Sequence, residues 1–478
     1  MRETVTIQVG QCGNAIGNAF WTRLLEEHRD TPSNNDSLSA FFRTCDERGS
    51  SKTKLKARAV LVDMECGPLQ ETMRSELGSL FDETQFVMDV SGAGNNFAHG
   101  HAYYGPQYRD RLSESLRRTI EHCDSVQSFL VCHSLGGGTG SGVGTYMLGL
   151  VEDLFPDVYR FAVSVYPSED DDVVTSPYNA VLATRQLIDH ADCVFPLNNS
   201  ALNAFAQLEP STREREAGNR GVRGSDNSGK DSEKDQKDKG FNKMNNVAGQ
   251  MLCHLTSSSR FDGEMNVDMN EICTNLVPFP RLHFLTTALT PQRAVDRAVK
   301  GRPSSTALPK GAIQRAFTDL LAPAAQLSAL GINSKDRGIY LACAFLGRGK
   351  IPLSDFINGV TAVQTSMVFP KWNLDACKIG LCSTPAPNQV STILGIYNNT
   401  SFGGVLDQHR GRFNRLYRRK AMLHHYTEFI EAEFVAESDE SVANIIKEYD
   451  TVERGGLPYA TPDVTTSNYF VESLLPAF

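Results

Sequence analysis

The sequence contains no apolar run long enough to span a bilayer, and Met1 is not followed by the charged and then apolar residues of a secretory leader. Hydrophobic residues make up 40% of the 478 residues and charged residues 22%, which is typical of soluble globular proteins. We therefore expect a cytosolic protein that contacts no membrane. The chain is longer than one hydrophobic core usually serves, which indicates two or three domains.

An excess of positive charge is also missing. The chain has 47 Lys and Arg against 56 Asp and Glu, a net charge of −9, and no basic stripe with interleaved aromatic residues. Proteins that bind nucleic-acid polymers need a basic face, so we expect no such partner. The eleven cysteines include no Cys-x-x-Cys pair, which argues against a zinc site and a disulfide framework and predicts that most are small buried side chains.

Short apolar strands alternate with amphipathic helical segments over the first part of the chain. The strand TVTIQVG, for example, runs into a segment in which Ile16, Phe20 and Leu24 share one helix face. Such alternation predicts an α/β fold with a parallel sheet and right-handed crossovers. In this class ligands bind at the carboxyl ends of the strands, so we look for functional residues there.

Changes of composition divide the chain. Residues 30–56 are polar and predict a long surface loop. The stretch from Glu209 to Gly240 has Val222 among charges and glycines, too little apolar surface to order itself, and predicts a disordered insertion. The predicted regions are a first α/β domain over 1–240, a core helix over 241–262, a second α/β domain over 263–396, and a helical C-terminal region with its tail over 397–478.

The segment VCHSLGGGTGSGVGTYM, residues 131–147, places five glycines within seven residues between a predicted strand and a predicted helix. Glycine lets backbone N–H groups approach a ligand, and a helix N-terminus adds about half a positive charge, so the pattern predicts a phosphate-binding loop. The segment lacks the lysine of a P-loop, and its spacing does not match G-x-G-x-x-G. Mg²⁺ is the simplest remaining source of positive charge.

Two carboxylates, Asp63 and Glu65, follow the predicted strand in AVLVDME. Mg²⁺ commonly takes one or two carboxylates together with phosphate and water oxygens. A solvated turn is the alternative interpretation of this Asp-x-Glu pair. A second glycine-rich turn, SGAGNN at residues 91–96, follows another predicted strand, and the two glycine loops together favour a nucleotide site.

Seven segments, in order, resemble those of tubulins: IQVGQCGN, LVDMECG, SGAGNN, HSLGGGTGSG, SPYNA, NLVPFPRLHF and RRKAMLHHY. The chain is therefore identified as a member of the tubulin superfamily. Within it, SEDDDVVTSPYN, MNNVAGQMLCHLTSSSRF and the polar insertion resemble the epsilon class most, with the delta class as the alternative. The resemblance implies the tubulin fold: a Rossmann-like GTPase domain, an intermediate α/β domain and a helical C-terminal region.

The resemblance implies a site for GTP or GDP with Mg²⁺. Glu65 and Asp63 would serve the metal ion, and Asp172 would face the ribose. The first loop and the two glycine loops would contribute Gln11, Cys12, Ala93, Gly94, Asn95, Ser134, Gly136, Gly137, Gly138, Thr139 and Gly140. Ser176 stands where many alpha and beta subunits have an acid that contacts ribose, so we expect the sugar contacts to be rearranged here.

By the same resemblance, Asn199 and Asn245 would read guanine and Phe241 would stack on it. Guanine presents an acceptor at O6 beside donors at N1 and N2, and two side-chain amides supply both complements. An aromatic ring on the base contributes about 1 to 3 kcal/mol by analogy with nucleic-acid stacking.

The resemblance also places Glu271 where alpha-type subunits carry the catalytic acid, with Asp268 nearby. A carboxylate there can position water against the γ-phosphate held by a neighbouring subunit. One hypothesis is therefore a GTPase whose site is completed between stacked subunits. The alternative is a structural protein that keeps GTP as a permanent cofactor.

The family resemblance implies head-to-tail assembly with other tubulin subunits. It implies work in the cytoskeleton, at the centrosome, centriole or basal body, with centriolar triplet microtubules as the context. The C-terminal tail lacks the Glu-rich run of alpha and beta tubulins, so proteins that require that run are not expected to bind here.

Overall fold

A computed structural model describes most of the chain. It covers residues 3–29, 35–46, 53–168, 171, 173–208, 233–261, 263, 265–290, 311–328, 338–374, 376–387 and 389–458. Asp172, the predicted disordered insertion up to residue 232 and the tail from residue 459 lie outside the described residues.

Six parallel strands form the main sheet, in the order β5-β4-β1-β6-β7-β8. All neighbouring strands of this sheet are parallel, which confirms the predicted α/β fold. Parallel strands need crossover connections, usually helices, that return the chain to the edge of the sheet where the previous strand began. The strands are β1 (Glu3–Val9), β4 (Ala59–Asp63), β5 (Phe86–Met88), β6 (Val126–Ser134), β7 (Tyr159–Tyr166) and β8 (Cys193–Asn198).

Helices cover both faces of this sheet, and side chains alternate between two cores. On β6, Phe129 and Val131 join the core under one helical layer, whereas Leu130 and Cys132 join the core under the other. The helices of the first half are α1 (Gly10–Arg29), α2 (Asn35–Ser39), α3 (Cys66–Arg74), α4 (Gly105–Ile120), α5 (Gly144–Leu154), α6 (Ser176–His190), α7 (Asn199–Leu208), α8 (Glu233–Leu255) and α9 (Ser257–Arg260).

Tighter and wider helical turns occur between these elements. Turns of 3₁₀ type span Glu76–Leu80, Glu83–Gln85 and Pro323–Ala325, and π-helical turns span His99–Tyr104 and Thr139–Val143. Each π-helical turn leads directly into an α-helix, α4 and α5 respectively. Single π turns of this kind are frequent at functional sites.

A second, four-stranded sheet has the order β11-β10-β12-β9, in which only β10 and β11 are parallel. Its strands are β9 (Leu285–Leu289), β10 (Tyr340–Gly349), β11 (Cys377–Cys382) and β12 (Ser391–Asn399). The helices of this region are α10 (Met269–Leu276), α11 (Ala312–Leu320) and α12 (Leu353–Gln364). A core that includes Phe317, Phe345 and Phe356 joins α11 and α12 to the sheet.

The C-terminal region is helical, as predicted, with α13 (Phe402–Tyr417), α14 (His424–Thr427) and α15 (Ala432–Glu453). Helix α15 packs on α13 and on α6 of the first domain. Tyr178 of α6 contacts the rings of Phe413 and Tyr426. The C-terminal region therefore shares the hydrophobic core that covers one face of the main sheet.

Two sequence-based boundaries differ from the structure. Residues 30–56 were predicted to be a loop, but β2 (Phe42–Asp46) and β3 (Thr53–Ala57) form an antiparallel pair there. That prediction is wrong because Phe42 and Ala57 are buried against α1, a long-range contact that polar composition does not reveal. Helix α8 starts at Glu233 rather than at residue 241, so the last residues of the predicted insertion are helical.

Candidate functional site

Three loops meet at the carboxyl edge of the main sheet, following β1, β5 and β6. The space around two of their glycines shows how closely the loop backbones approach one another. A Cβ atom on Gly10 would lie 3.1 Å from the amide nitrogen of Gly140, and one on Gly138 would lie 2.6 Å from that of Asn96. A larger residue at either position would force the loops apart, so these glycines allow the convergence.

The predicted phosphate loop turns sharply after β6. A Cβ atom on Gly140 would lie 2.7 Å from Ser134 Oγ, so the hydroxyl of Ser134 lies at the start of the π-helical turn. That turn continues into α5, which begins at Gly144. Backbone N–H groups and a helix N-terminus are thus placed together, the arrangement that binds anions.

The loop containing Ala93, Gly94 and Asn95 is fixed to the phosphate loop by a side chain to which the sequence analysis gave no role. Asn179 of α6 is buried and donates from Nδ2 to Gly136 O at 2.7 Å and to Asn95 O at 2.9 Å. Gly94 and Asn95 have φ of 57° and 51°, a conformation that favours Gly and Asn. The tubulin-like segment SPYNA contains this asparagine. The position of Asn179 near the start of a predicted helix was the signal that could have pointed to a role in the site.

The carboxylates of Asp63 and Glu65 lie beside this junction. Asp63 is buried, and one of its oxygens, Oδ2, has no hydrogen-bond partner, while Oδ1 accepts from the amide of Glu65 at 3.2 Å. Burial, and then the charge of Glu65, raise the pKa of Asp63 to about 6. Glu65 is exposed, and its Oε1 would lie 2.3 Å from a Cβ on Gly92.

This donor set fits Mg²⁺. A buried carboxylate oxygen without a partner is costly unless a cation or a donor meets it, and oxygen is the ligand that Mg²⁺ prefers. Within the described part of the chain no group of three or more His, Cys, Asp or Glu side chains is arranged to hold a metal ion. Asp63 and Glu65 would therefore supply only part of the coordination, with phosphate and water oxygens supplying the rest.

The side chains predicted to bind the base come from elements that pack together. Asn199 is the first residue of α7, directly after β8, and α7 packs on α8, which carries Phe241 and Asn245. Those two residues are one helical turn apart and share a face. The ring of Phe241 is 49% exposed, which is unusual for a phenylalanine in a well-packed helix.

The remaining predicted contacts lie at the start of α1 and after β7. Gln11 is exposed and Cys12 is half-buried in the first turn of α1. Asp172 is outside the described residues, but Asp171 is described and accepts from Ser176 Oγ at 2.7 Å. A Cβ atom on Gly136 would lie 3.2 Å from Asp171 Oδ2. The carboxylate of Asp171 therefore borders the phosphate loop. Its place in the acidic run DDD at 170–172 was a signal in the sequence, but no role was predicted for it.

Glu271 lies at the opposite edge of the sheet. It stands in the first turn of α10, and the Sγ of Cys273 in the same helix is 3.7 Å from the carbonyl oxygen of Asp192, the residue before β8 begins. The six residues of β8 span about 20 Å and separate this helix from the loops at the carboxyl edge. Glu271 therefore cannot reach the phosphate loop of its own chain.

Two contacts hold Glu271. Asp268 Oδ1 accepts from the amide of Glu271 at 2.7 Å, and Lys378 Nζ lies 3.0 Å from Glu271 Oε2. Asp268 is thus the N-cap of α10 and fixes the backbone of the first turn. The side chain of Glu271 remains 42% exposed.

Comparison with known proteins decides the family. A model of the Tubulin/FtsZ family GTPase domain matches residues 3–207, and a model of the tubulin C-terminal domain matches residues 280–409. The chain belongs to the tubulin family. The GTPase-domain match implies that this tubulin binds a guanine nucleotide, and family membership implies assembly with other tubulin subunits in the cytoskeleton.

Whole-length relatives agree with this assignment. The chain is 40% identical to the Tubulin epsilon chain of Homo sapiens over 469 residues, covering 95% of this chain and 96% of that protein. It is 39% identical to the Tubulin epsilon chain of Mus musculus over 471 residues, with 95% and 96% coverage. Identity to the Tubulin beta-1 chain of Homo sapiens is 32% over 464 residues, with 94% of both chains covered. The predicted resemblance to tubulins, and among them to the epsilon class, is confirmed.

No helix in the described part of the chain combines the length and the apolar character needed to cross a membrane.

Proposed function

We propose that this tubulin binds GTP with Mg²⁺, works at the centriole or basal body, where it joins or organises triplet microtubules, and hydrolyses GTP at a site shared between stacked subunits. One observation carries the proposal of a shared site. The phosphate loop and the acid pair lie at one edge of the main sheet, and Glu271 lies at the other. Subunits stacked head to tail bring these two edges together.

In this proposal each loop has a separate task. Backbone N–H groups of Gly136 to Gly140 bind the outer phosphates, together with the hydroxyls of Ser134 and Thr139, and the loop of Ala93 to Asn95 contacts the outermost one. Mg²⁺, held by Asp63 and Glu65 through oxygen, would neutralise phosphate charge. Asn199 and Asn245 read guanine, Phe241 stacks on it, and Gln11 and Cys12 line the first loop.

The sugar would be bound differently from the expectation for Asp172 alone. Asp171 and Ser176 are hydrogen-bonded to each other beside Gly136, so the pair offers a carboxylate and a hydroxyl to ribose. Helix α6 starts at Ser176, and Asn179 in its first turn holds both glycine loops. A sugar contact made by Ser176 would therefore rest on the same helix that positions the phosphate loop.

For hydrolysis, Glu271 of one subunit would orient water against the γ-phosphate of the next. General acid–base and water-positioning groups contribute about two to four orders of magnitude in rate. The N-cap bond from Glu271 to Asp268 holds the helix turn in place, so we give Asp268 a positioning role. The proposal of a centriolar location rests on the family resemblance and on similarity to epsilon chains.

A second candidate function is a structural tubulin that keeps GTP without hydrolysing it. The ion pair between Glu271 and Lys378 favours this alternative, because a carboxylate held by an ammonium group has one oxygen fewer for orienting water. The two candidates share the nucleotide site and differ in what happens after subunits stack.

Two measurements test the proposed function. Purified protein is denatured and its nucleotide identified by chromatography, and phosphate release is then followed against protein concentration for wild type, Glu271→Gln and the control Glu26→Gln, an exposed acid on α1. Guanine nucleotide in the protein, with release that rises with concentration in wild type and Glu26→Gln alone, supports the shared site. Equal, concentration-independent rates in all three would favour the non-hydrolysing tubulin.

A further inference from the structure

One segment of this acidic protein carries strong positive charge. Residues 408–427 contain six Lys and Arg and no Asp or Glu, in a chain whose net charge is −9. Arg410 is paired with Asp439, and Arg412 donates to Ser168 O. We call the four other cations the basic surface: Arg415, Arg418, Arg419 and Lys420.

The basic surface is exposed and concentrated. All four residues are exposed, and no ion pair to any of them occurs in the described part of the chain. Arg418 and Arg419 follow Arg415 by three and four positions at the end of α13, so the three guanidinium groups share one side of that helix end. Lys420 follows directly, where the chain leaves the helix.

The backbone at this surface is held in a costly conformation. Lys420 and Met422 have φ of 51° and 59°, in the left-handed region that side-chain-bearing residues rarely adopt. Such conformations are strained and persist where the surroundings fix them, often at functional sites. The neighbouring carbonyl groups of Ala421 and His425 accept hydrogen bonds from Tyr178 of α6 and from Asn96.

Three hydrogen bonds connect residues 421–426, which directly follow the basic surface, to helix α6 and to the loop that contains Asn96. Tyr178 OH donates to Ala421 O at 2.8 Å, Asn96 Nδ2 donates to His425 O at 2.7 Å, and Tyr426 OH donates to Asn179 Oδ1 at 2.6 Å. Asn179 is the residue whose amide holds Asn95 O and Gly136 O. A shift of the basic segment would therefore be transmitted directly to both glycine loops.

We propose that the basic surface is a docking site for a glutamate-rich peptide segment of a partner protein, and that docking is coupled to the two glycine loops. Arginine binds carboxylates through paired N–H groups, and a segment opposite in sign to the rest of the protein selects an acidic ligand by charge complementarity. A nucleic acid fits less well, because the chain as a whole is acidic and residues 408–427 present no exposed Phe, Tyr or Trp ring for stacking. The coupling rests on the proposed GTP binding, whereas the docking does not.

The docking test uses fluorescence anisotropy of a fluorescein-labelled oligoglutamate peptide with the full chain. The variant is Arg415→Gln/Arg418→Gln/Arg419→Gln. Its matched control, Arg109→Gln/Arg117→Gln/Arg118→Gln, changes net charge equally at exposed arginines of α4 that already lie near Asp153, Glu114 and Glu121. We expect the surface variant to bind the peptide about tenfold more weakly and the control to bind like wild type.

Several results would overturn the docking proposal. The first is that wild type does not bind the peptide. The second is that the surface variant and the control variant lose the same peptide affinity. The third is that a single-stranded oligonucleotide binds wild type as tightly as the peptide does and loses its affinity in the surface variant. The last result would assign the surface to a nucleic acid. None of these measurements requires nucleotide, so they stand whatever becomes of the proposed function.

The coupling is tested by measuring peptide affinity with and without saturating GTP, and GTP affinity with and without peptide. Linkage requires the same factor in both directions, and we expect about fivefold or more. Tyr178→Phe, which removes the bond to Ala421 O, should reduce the factor. An unchanged affinity would overturn the coupling while leaving the docking. A protein that binds peptide but no GTP would contradict the proposed function instead.

Discussion

The carboxylate of Glu271 and the ammonium group of Lys378 form an ion pair of 3.0 Å between helix α10 and strand β11. The pair stands at the edge of the sheet opposite the phosphate loop, where a stacked neighbour would present its nucleotide. A lone carboxylate would be repelled by the phosphates of that nucleotide. In the hydrolysing tubulin the adjacent ammonium group would balance this charge and make Lys378 a positioning residue for Glu271, whereas in the non-hydrolysing alternative the same ion pair withholds the acid.

Lys378→Met should therefore lower concentration-dependent phosphate release about tenfold, the effect of roughly 1.4 kcal/mol. Lys378→Arg, which keeps the charge, should largely retain it. The measurement is phosphate release against protein concentration, with nucleotide affinity recorded for each variant as a control. A faster rate in Lys378→Met would mean that the pair sequesters the acid, as in the non-hydrolysing alternative.

Asp63 predicts an unusual dependence of stability on pH in nucleotide-free protein. Its pKa is raised by burial from 3.8 to about 6, so between these values the folded state holds a proton that the unfolded state has lost. Stability then falls as pH rises, by about 3 kcal/mol across this window. Asp63→Asn should remove the fall, which urea unfolding at pH 4 to 7 would measure.

The same group predicts how nucleotide binding responds to pH. Mg²⁺ requires the ionised carboxylate, so Mg²⁺-dependent GTP affinity should weaken as pH falls through about 6. Asp63→Asn should bind Mg²⁺ poorly at every pH. If wild type and variant unfold with identical pH profiles and show equal Mg²⁺ dependence, the buried carboxylate is not the metal ligand.

The pair formed by Asp171 and Ser176 predicts selectivity for the sugar. We expect wild type to bind GTP about tenfold more tightly than 2′,3′-dideoxy-GTP, the effect of one or two hydrogen bonds. Asp171→Asn/Ser176→Ala should bring the two affinities close together, mainly by weakening GTP. Competition against a fluorescent guanine nucleotide measures this. A variant with undiminished preference for GTP would show that ribose is read elsewhere.

The buried charges of Glu27, Arg260 and Arg348 predict that removing the charge of Glu27 destabilises the fold strongly. Glu27 accepts from both guanidinium groups at 2.6 Å, and all three side chains are buried. Burial alone would raise the pKa of Glu27, but the two guanidinium charges outweigh it and hold the pKa at about 2. The contribution of Glu27 is therefore present above about pH 4.5 and is lost as pH falls through about 2.

Glu27→Gln should lower the free energy of unfolding by about 3 to 5 kcal/mol, because it leaves two guanidinium groups buried without a counter-charge. Glu26→Gln, one position away and exposed, should change it little. Urea unfolding at neutral pH measures both. Equal stability of the two variants would show that this cluster does not join the first domain to β10.

Local sequence determined much of the site. Glycine spacing after β6 and after β5 marked the two loops that converge at the carboxyl edge of the sheet, since glycine is needed wherever backbones approach closely. The position of the acids at the end of β4 followed from strand geometry. The parallel sheet followed from alternating periodicity. These features depend on residues within a few positions of each other, which a single sequence displays.

Tertiary structure decided what joins distant segments. Asn179 holds two loops that lie 43 and 84 residues away in the chain, and Glu27 meets Arg348 across 321 residues. Asp171, which precedes α6, supplies the carboxylate beside Gly136. Phe42 brings part of the polar stretch 30–56 into the core. Such partners are selected by the folded chain as a whole, because burial and hydrogen bonding depend on where each backbone segment is finally placed.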